Sequence, residues 1–125
     1  MLDHIGVNVS DFDSSRDFYA AALAPLGYKL AMQPGPQVAG FATADGRALP
    51  FWVYARGGAP TTAHVAFQAP DRATVDAFHQ AALDAGGTDN GAPGIRAMYH
   101  PTYYGAYVRT ADGVNLEAVC HKPEG

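Results

Sequence analysis

The chain has 125 residues, of which 48% are hydrophobic, and a formal net charge of −4. This length is usual for one domain with a buried core, and two separate domains would each be too small to be stable. Lysine and arginine form no cluster, so the sequence gives no sign of a nucleic-acid-binding surface. No apolar run has the length of a membrane span, and a strand pattern begins close to Met1. We therefore expect a cytoplasmic protein that has no membrane segment.

Two stretches of the sequence match each other without a gap, one starting at His4 and the other at His64. Identical residues recur at equivalent places, including Asp11 and Asp71, Phe18 and Phe78, Ala22 and Ala82, and Gly27 and Gly87. An internal repeat of this length indicates two copies of one supersecondary unit that share a core. We predict a single domain over residues 1–125, with a first module over 1–59 and a second module over 60–125.

The first module begins with an alternating strand pattern, in which Ile5, Val7 and Val9 share one face. Asp11 then offers a helix N-cap, and the helix after it carries apolar residues at three- and four-residue spacing. Gly27 is suited to end this helix as a left-handed cap. Three further strands are predicted over residues 28–32, 38–43 and 49–55, separated by turn residues.

The second module repeats this order, with a strand from His64, an N-cap at Asp71 and an amphipathic helix. Residues 88–98 are rich in Gly, Pro and Asn and predict one short strand within a loop, and strands follow over 103–109 and 114–120. The order is therefore β-α-β-β-β twice. It predicts an α+β fold in which one curled mixed sheet has its helices outside and its polar strand faces inside, around a cleft. His79 in the helix and His121 near the end are expected to be solvated.

Glu117 is an unusual residue in the last strand, which is otherwise largely apolar, and the only other glutamate is Glu124. A buried carboxylate needs a partner, and a metal ion held jointly with two neutral imidazoles would be one. His4 and His64 stand at equivalent places in the two modules and supply those imidazoles. Two histidines and one carboxylate leave coordination positions open on an octahedral ion, which favours Fe(II) or Mn(II) and direct binding of a substrate. We predict His4, His64 and Glu117 as metal ligands, and we predict no site for an organic cofactor.

The doubled β-α-β-β-β unit, with these three residues on the first strand of each module and the last strand of the second, resembles the vicinal oxygen chelate superfamily. This superfamily contains glyoxalase I, bleomycin-resistance proteins and extradiol dioxygenases. The resemblance implies a small-molecule substrate and a homodimer. It leaves open whether the site lies within one chain or between two.

Within that superfamily, glyoxalase I has a fourth metal ligand on the last strand of the first module, where the alignment places Phe51. The stretch from His100 through Tyr107 to Glu117 is instead similar to the extradiol dioxygenase signature, with Ala106 and Ala111 replacing a larger aliphatic residue and a proline. This similarity implies that His100 shuttles a proton and that Tyr107 donates a hydrogen bond to a substrate oxygen. It also suggests that Tyr99, Tyr103 and Tyr104 line an aromatic pocket.

Three functions follow from the resemblance. The leading one is a metal-dependent, extradiol-dioxygenase-like enzyme that acts on a substrate with two vicinal oxygens. The second is a glyoxalase-like lyase or isomerase that uses Zn or Ni and completes its metal shell with water. The third is a binding protein of the bleomycin-resistance type, which would sequester its ligand without chemistry.

Overall fold

The computed structural model describes residues 1–123, so Glu124 lies outside the described residues. In chain order the elements are β1 (Ile5–Asn8), α1 (Phe12–Leu23), a short 3₁₀ helix (Ala24–Leu26), β2 (Lys29–Gly35), β3 (Val38–Ala42), β4 (Phe51–Tyr54), β5 (His64–Gln68), α2 (Arg72–Asp84), β6 (Thr88–Ile95), β7 (Tyr104–Arg109) and β8 (Asn115–Cys120). This order confirms the predicted α+β organisation with two β-α-β-β-β modules. Hereafter the first module comprises β1 to β4 with α1, and the second module comprises β5 to β8 with α2.

Both helices begin at the aspartates that the repeat predicts. The Asp11 carboxylate accepts a hydrogen bond from the Ser14 backbone N–H at 3.1 Å, and the Asp71 carboxylate accepts one from the Thr74 N–H at 2.7 Å. Each aspartate thus satisfies an N–H group that has no partner within its helix. Gly27 follows the 3₁₀ helix with a φ of 88°, a left-handed conformation that glycine adopts without a Cβ clash.

The strands form two four-stranded mixed sheets, with strand orders β1-β4-β3-β2 and β5-β8-β7-β6. In each sheet the first and last strands of the module pair in parallel, and the other neighbours pair antiparallel. The prediction of one continuous sheet was therefore wrong. The alternation of residues within each strand agrees with the prediction. However, β1 and β5 are edge strands of two different sheets and do not pair with each other.

The two modules are joined by side-chain packing. The Phe51 ring of β4 lies 5.5 Å from the Phe67 ring of β5, measured between ring centroids, and Tyr28 contacts the same Phe67 ring at 5.2 Å. The Ser10 hydroxyl, in the loop after β1, donates to the Asp112 carboxylate at 2.5 Å in the turn before β8. One core thus serves both modules, as an internal repeat requires.

Two local features differ from the sequence-based expectation. The β6 strand extends over Thr88–Ile95 as an irregular strand with two register shifts, where only a short strand within a loop was predicted. His79 was expected to be solvated, but it is buried and its Nε2 lies 2.9 Å from a carboxylate oxygen of Asp89. His79 lies on the buried stripe of α2 with Val75, Phe78 and Ala82, and Asp89 of β6 supplies its polar partner. Neither helix of the described residues has the length and apolar character needed to cross a bilayer.

Candidate functional site

Glu117 lies at the centre of the candidate site, on β8, and its side chain is fully buried. His64 Nε2, at the start of the neighbouring β5, lies 2.8 Å from Glu117 Oε1. The Tyr103 hydroxyl, just before β7, donates a hydrogen bond to Glu117 Oε2. Gly105 leaves space for this arrangement, because a Cβ there would lie 3.2 Å from Oε2. Both oxygens of the buried carboxylate therefore have a partner, which offsets the cost of removing the charge from water.

The strand register sets Glu117 between Ala66 of β5 and Tyr107 of β7. The ring of Tyr107 lies 6.2 Å from the ring of His64. Burial, followed by the hydrogen bond to Glu117, raises the pKa of Tyr103 above its ordinary value. Burial is also the main reason that the pKa of Tyr107 is raised. Both phenols therefore stay protonated near neutral pH, and Tyr103 donates its hydroxyl hydrogen to the carboxylate.

His100 forms a pair with His121, and the hydrogen bonds around the pair define its tautomer. The Thr102 backbone N–H donates to His100 Nδ1 at 3.2 Å. Because an N–H group can only donate, Nδ1 is the unprotonated nitrogen of the neutral ring and Nε2 carries the hydrogen. That Nε2 lies 2.6 Å from His121 Nδ1, and the two rings stack with an interplanar angle of 28°. Among residues 1–123, Nε2 of His121 is the nitrogen of the pair without a hydrogen-bond partner.

The histidine pair adjoins the Glu117 site through Tyr103. The centroid of the Tyr103 ring lies 5.4 Å from both imidazole rings and 4.9 Å from the ring of Tyr99. His121 was expected to be solvated; it is exposed, as expected, but it is also the main partner of His100. Sequence reasoning missed this pairing and the Tyr103 hydrogen bond to Glu117. A signal existed for His121, because it follows Glu117 at an even spacing, and alternation continued one residue past β8 predicts the same side of the sheet.

His4 is not joined to the other two predicted ligands. Its side chain is 60% exposed, and its Nδ1 lies 2.6 Å from a carboxylate oxygen of Asp3. His4 lines a cavity of about 500 Å³ on the first module, whereas His64 lines a second cavity of about 290 Å³ between the modules, and Ile5 borders both. Within residues 1–123, no group of three or more His, Cys, Asp or Glu side chains is placed to hold a metal ion. Of the predicted triad, the chain brings together His64 and Glu117.

The register of the two parallel strand pairs identifies the first-module counterpart of Glu117. Glu117 pairs with Ala66 of β5, and Trp52 pairs with Gly6 of β1 at the equivalent place. The assignment of Phe51 to this position was therefore wrong by one residue. A one-residue shift moves a side chain to the opposite face of a strand, and Phe51 is indeed fully buried in the core. An indole is not a metal ligand, so the four-ligand set of glyoxalase I has no counterpart here.

The two modules also differ at the position beside Glu117 and Trp52. In the second module Tyr107 of β7 lies beside Glu117, and in the first module Gly40 of β3 lies beside Trp52. The indole occupies the space that this glycine leaves, because a Cβ on Gly40 would lie 2.8 Å from two of its ring atoms. The indole N–H donates to the Leu49 carbonyl at 3.0 Å, which fixes the orientation of the ring. The faces of the two modules thus differ in chemistry despite their common fold.

Comparisons with known proteins agree with this architecture. Residues 1–118 match the family model described as the Glyoxalase/Bleomycin resistance protein/Dioxygenase superfamily. The chain belongs to this superfamily, which confirms the resemblance seen in the sequence. Metal dependence is common in the superfamily. Among proteins with curated descriptions, none matches the sequence significantly.

Solved structures share the fold over almost the whole chain. A glyoxalase/bleomycin resistance protein from Albidiferax ferrireducens is 28% identical, with a TM-score of 0.81 over 96% of this chain and 98% of that one. A family enzyme from Burkholderia phytofirmans is 15% identical, with a TM-score of 0.74 over 97% and 98% of the two chains. A glyoxalase-related enzyme from Fulvimarina pelagi is 15% identical, with a TM-score of 0.72 over 96% and 87%. The last two, at this identity, show the fold alone.

Proposed function

We propose that the chain is a divalent-metal-dependent enzyme that acts on a small molecule with two vicinal oxygens, in the manner of an extradiol dioxygenase. The observation that carries this proposal is the contact between His64 and the fully buried Glu117 on adjacent strands of the second module. An imidazole nitrogen and a carboxylate oxygen held at 2.8 Å need only small adjustments to share one cation.

The chemistry of these donors suits Fe(II) or Mn(II), and Zn or Ni are the alternatives for a lyase or isomerase. A bound ion of this kind supplies a Lewis acid and a template for two adjacent oxygens. The contribution of the chain is to hold the two donors on paired strands. Tyr103 assists by donating to Glu117 and so fixing the direction of the carboxylate.

The third ligand in this proposal is His4 of a second copy of the chain. His4 has no described contact with His64 or Glu117, and its exposed ring is free to be approached. His4 lines an open cavity on the polar face of the first module, and His64 lines a second open cavity that residues of both modules form. A homodimer that sets the first module of one chain against the second module of the other would complete two equivalent sites.

The proposed catalytic groups are His100 and Tyr107. Tyr107 is a neutral phenol beside Glu117, where it is suited to donate a hydrogen bond to a developing oxyanion. His100 has both ring nitrogens engaged, so it would move a proton together with His121, whose Nε2 has no hydrogen-bond partner among residues 1–123. Tyr103 is a positioning residue because it acts through Glu117.

Two measurements test this proposal. The first is metal content by mass spectrometry on protein purified anaerobically without a metal-affinity tag, and we expect about one iron or manganese per chain. The second mixes two inactive variants, His4→Ala and His64→Ala, under conditions that exchange subunits. If the sites lie between chains, the mixed dimer regains one intact site and binds metal that neither variant binds alone. Absence of metal even after refilling would reject a metalloenzyme, and no gain on mixing would reject the shared site.

A second candidate function is binding without chemistry. It is favoured by the observation that both Glu117 oxygens already have partners, His64 and Tyr103, so that the carboxylate is satisfied without an ion. In that case small molecules would occupy the open faces of the modules, and the cluster around Glu117 would serve to stabilise the fold. The same metal measurement separates the two functions.

A further inference from the structure

The first-module face contains an aromatic surface that the proposed metal chemistry does not use. Trp52 and Tyr54 lie side by side on β4 and are both half-buried. Each ring rests against a glycine, since a Cβ on Gly40 would lie 2.8 Å from the Trp52 ring and one on Gly6 would lie 2.5 Å from the Tyr54 ring. Glycines at these places let both rings lie close to the sheet.

Arg56 adds a positive charge at the edge of this surface. Its guanidinium carbon lies 3.9 Å from the centre of the Tyr54 ring, a stacked arrangement that leaves the N–H groups at the edge of the guanidinium free. Arg56 lies at the start of the loop that follows β4, and Asn8 fixes this loop. The Asn8 side chain accepts a hydrogen bond from the Arg56 backbone N–H at 2.8 Å and donates hydrogen bonds to the carbonyls of Gly57 and Ala59. Within residues 1–123, no carboxylate forms an ion pair with Arg56.

These groups line one cavity of about 500 Å³ together with His4. The indole N–H is already bonded to the Leu49 carbonyl, so Trp52 offers only its π face to a ligand. A flat π face recognises another planar ring, and a guanidinium without a carboxylate partner recognises an anionic oxygen. No carboxylate is among the described residues that line the cavity, and the exposed Asp3 contacts its His4.

We propose that this face of the first module binds a planar ring that carries a carboxylate or a similar anionic oxygen, with the ring on Trp52 and the anion on Arg56. The inference deepens the proposed function by naming a substrate class, and it rests on that function only in taking the bound molecule to be the substrate. Binding itself requires no metal. It can therefore be tested on chelator-treated protein.

The test uses benzoate, which is planar and anionic but has no vicinal oxygens to chelate a metal. Trp52 is the only tryptophan of the chain, so its indole N–H gives a single signal in a nitrogen–proton NMR spectrum that reports on this face. We expect benzoate to shift that signal in a saturable way. Neutral benzamide, which has the same shape, and cyclohexanecarboxylate, which has the same charge, should bind at least about tenfold more weakly.

Two variants assign the binding to these residues. Arg56→Gln should weaken benzoate about tenfold or more, whereas Arg47→Gln, which removes an equal charge from an exposed turn, should leave it unchanged. Trp52→Leu, followed through the benzoate signals because it lacks the indole, should abolish saturable binding.

Equal binding of the three probes, or unchanged binding by Arg56→Gln, would overturn the inference. Its failure can be distinguished from failure of the proposed function. If the protein retains metal at Glu117 but does not bind benzoate, only the proposed site for a ring with an anionic group is rejected. If the protein binds benzoate but does not retain metal, only the proposed metalloenzyme function is rejected.

Discussion

Trp52 and Glu117 occupy equivalent positions in the two modules, each on the strand that pairs in parallel with the first strand of its module. One position therefore carries a fixed aromatic ring and the other a buried carboxylate. An ancestral repeat with two identical faces would present the same chemistry twice. Here the two faces differ, and this difference is the basis for proposing a cation site on one and a flat ligand on the other.

The glycine beside Trp52 controls the position of the indole. Gly40→Ala places a methyl group 2.8 Å from the far end of the ring, so the ring must move away from the sheet. We expect a clear change in the tryptophan emission maximum and loss of benzoate binding, with the fold retained. Gly35→Ala is the matched control, because nothing lies within 4 Å of a Cβ there. Unchanged emission of Gly40→Ala would show that the glycine does not set the ring position.

The hydrogen bond from Tyr103 to Glu117 should contribute measurably to stability. Tyr103→Phe leaves a fully buried carboxylate oxygen without its donor, and such a loss costs about 1–3 kcal/mol. Urea unfolding followed by circular dichroism measures the change. Tyr104→Phe is the control, because Tyr104 donates to the exposed carboxylate of Asp76, where water replaces the lost bond. Equal effects of the two variants would mean that the Glu117 oxygen is solvated.

Glu117→Gln tests the metal ligand while keeping the shape of the side chain. We expect most of the metal to be lost, because an amide oxygen carries no charge for the cation, and the far-ultraviolet circular dichroism to be retained. Asp89→Asn alters a different histidine–carboxylate contact, that of His79, and should leave metal content unchanged. Equal metal in the Glu117→Gln and wild-type proteins would remove Glu117 from the ligand set.

Much of the fold followed from the sequence, because it rests on local patterns. The repeat starting at His4 and His64 marked both first strands, and the aspartates at Asp11 and Asp71 marked both helix starts. These features depend on residues close in sequence, so periodicity and capping chemistry were enough to find them. The same periodicity also predicts burial of His79, because it lies four residues after Val75 on the buried stripe of α2. The expectation that His79 is solvated followed its polar character instead of this spacing.

The arrangement of the site could be predicted only in part. That His64 meets Glu117 follows from the parallel pairing of the first and last strands of one module. The place of His4 relative to them depends on how two separate sheets pack, which no pattern within a strand encodes. The partners Tyr103 and His121 depend on side-chain directions at the ends of strands, where alternation gives the face but not the contact.

The N-cap of α2 should make stability depend on pH in the acid range. Hydrogen bonds from the side chain and then the backbone of Thr74 lower the pKa of Asp71 below its ordinary value. The unfolded chain therefore binds the proton more tightly, so this stabilisation is complete above about pH 4 and is lost as the pH falls through the folded-state pKa. Melting temperatures between pH 6 and pH 2.5 should fall less steeply for Asp71→Asn, which keeps the cap without the charge.

Asp84→Asn, in the last turn of the same helix, removes an equal charge away from the cap and serves as the control. Some acid dependence should persist in Asp71→Asn. Hydrogen bonds also lower the pKa values of Asp45 and Asp89, the first from Arg47 and the second from Gly91. An identical pH profile for Asp71→Asn and wild type would show that the cap does not depend on the charge.

The histidine pair can be tested independently of any reaction. At alkaline pH, nitrogen–proton NMR of the labelled imidazoles should show His100 as the Nε2–H tautomer, because Nδ1 accepts from Thr102 and Nε2 donates to His121. His121→Phe keeps an aromatic ring for stacking but removes the acceptor, so the Nε2 proton should exchange faster with water. An Nδ1–H tautomer in the wild type would contradict the assignment.

His100→Ala should retain metal, and metal loss in that variant would instead make His100 a ligand.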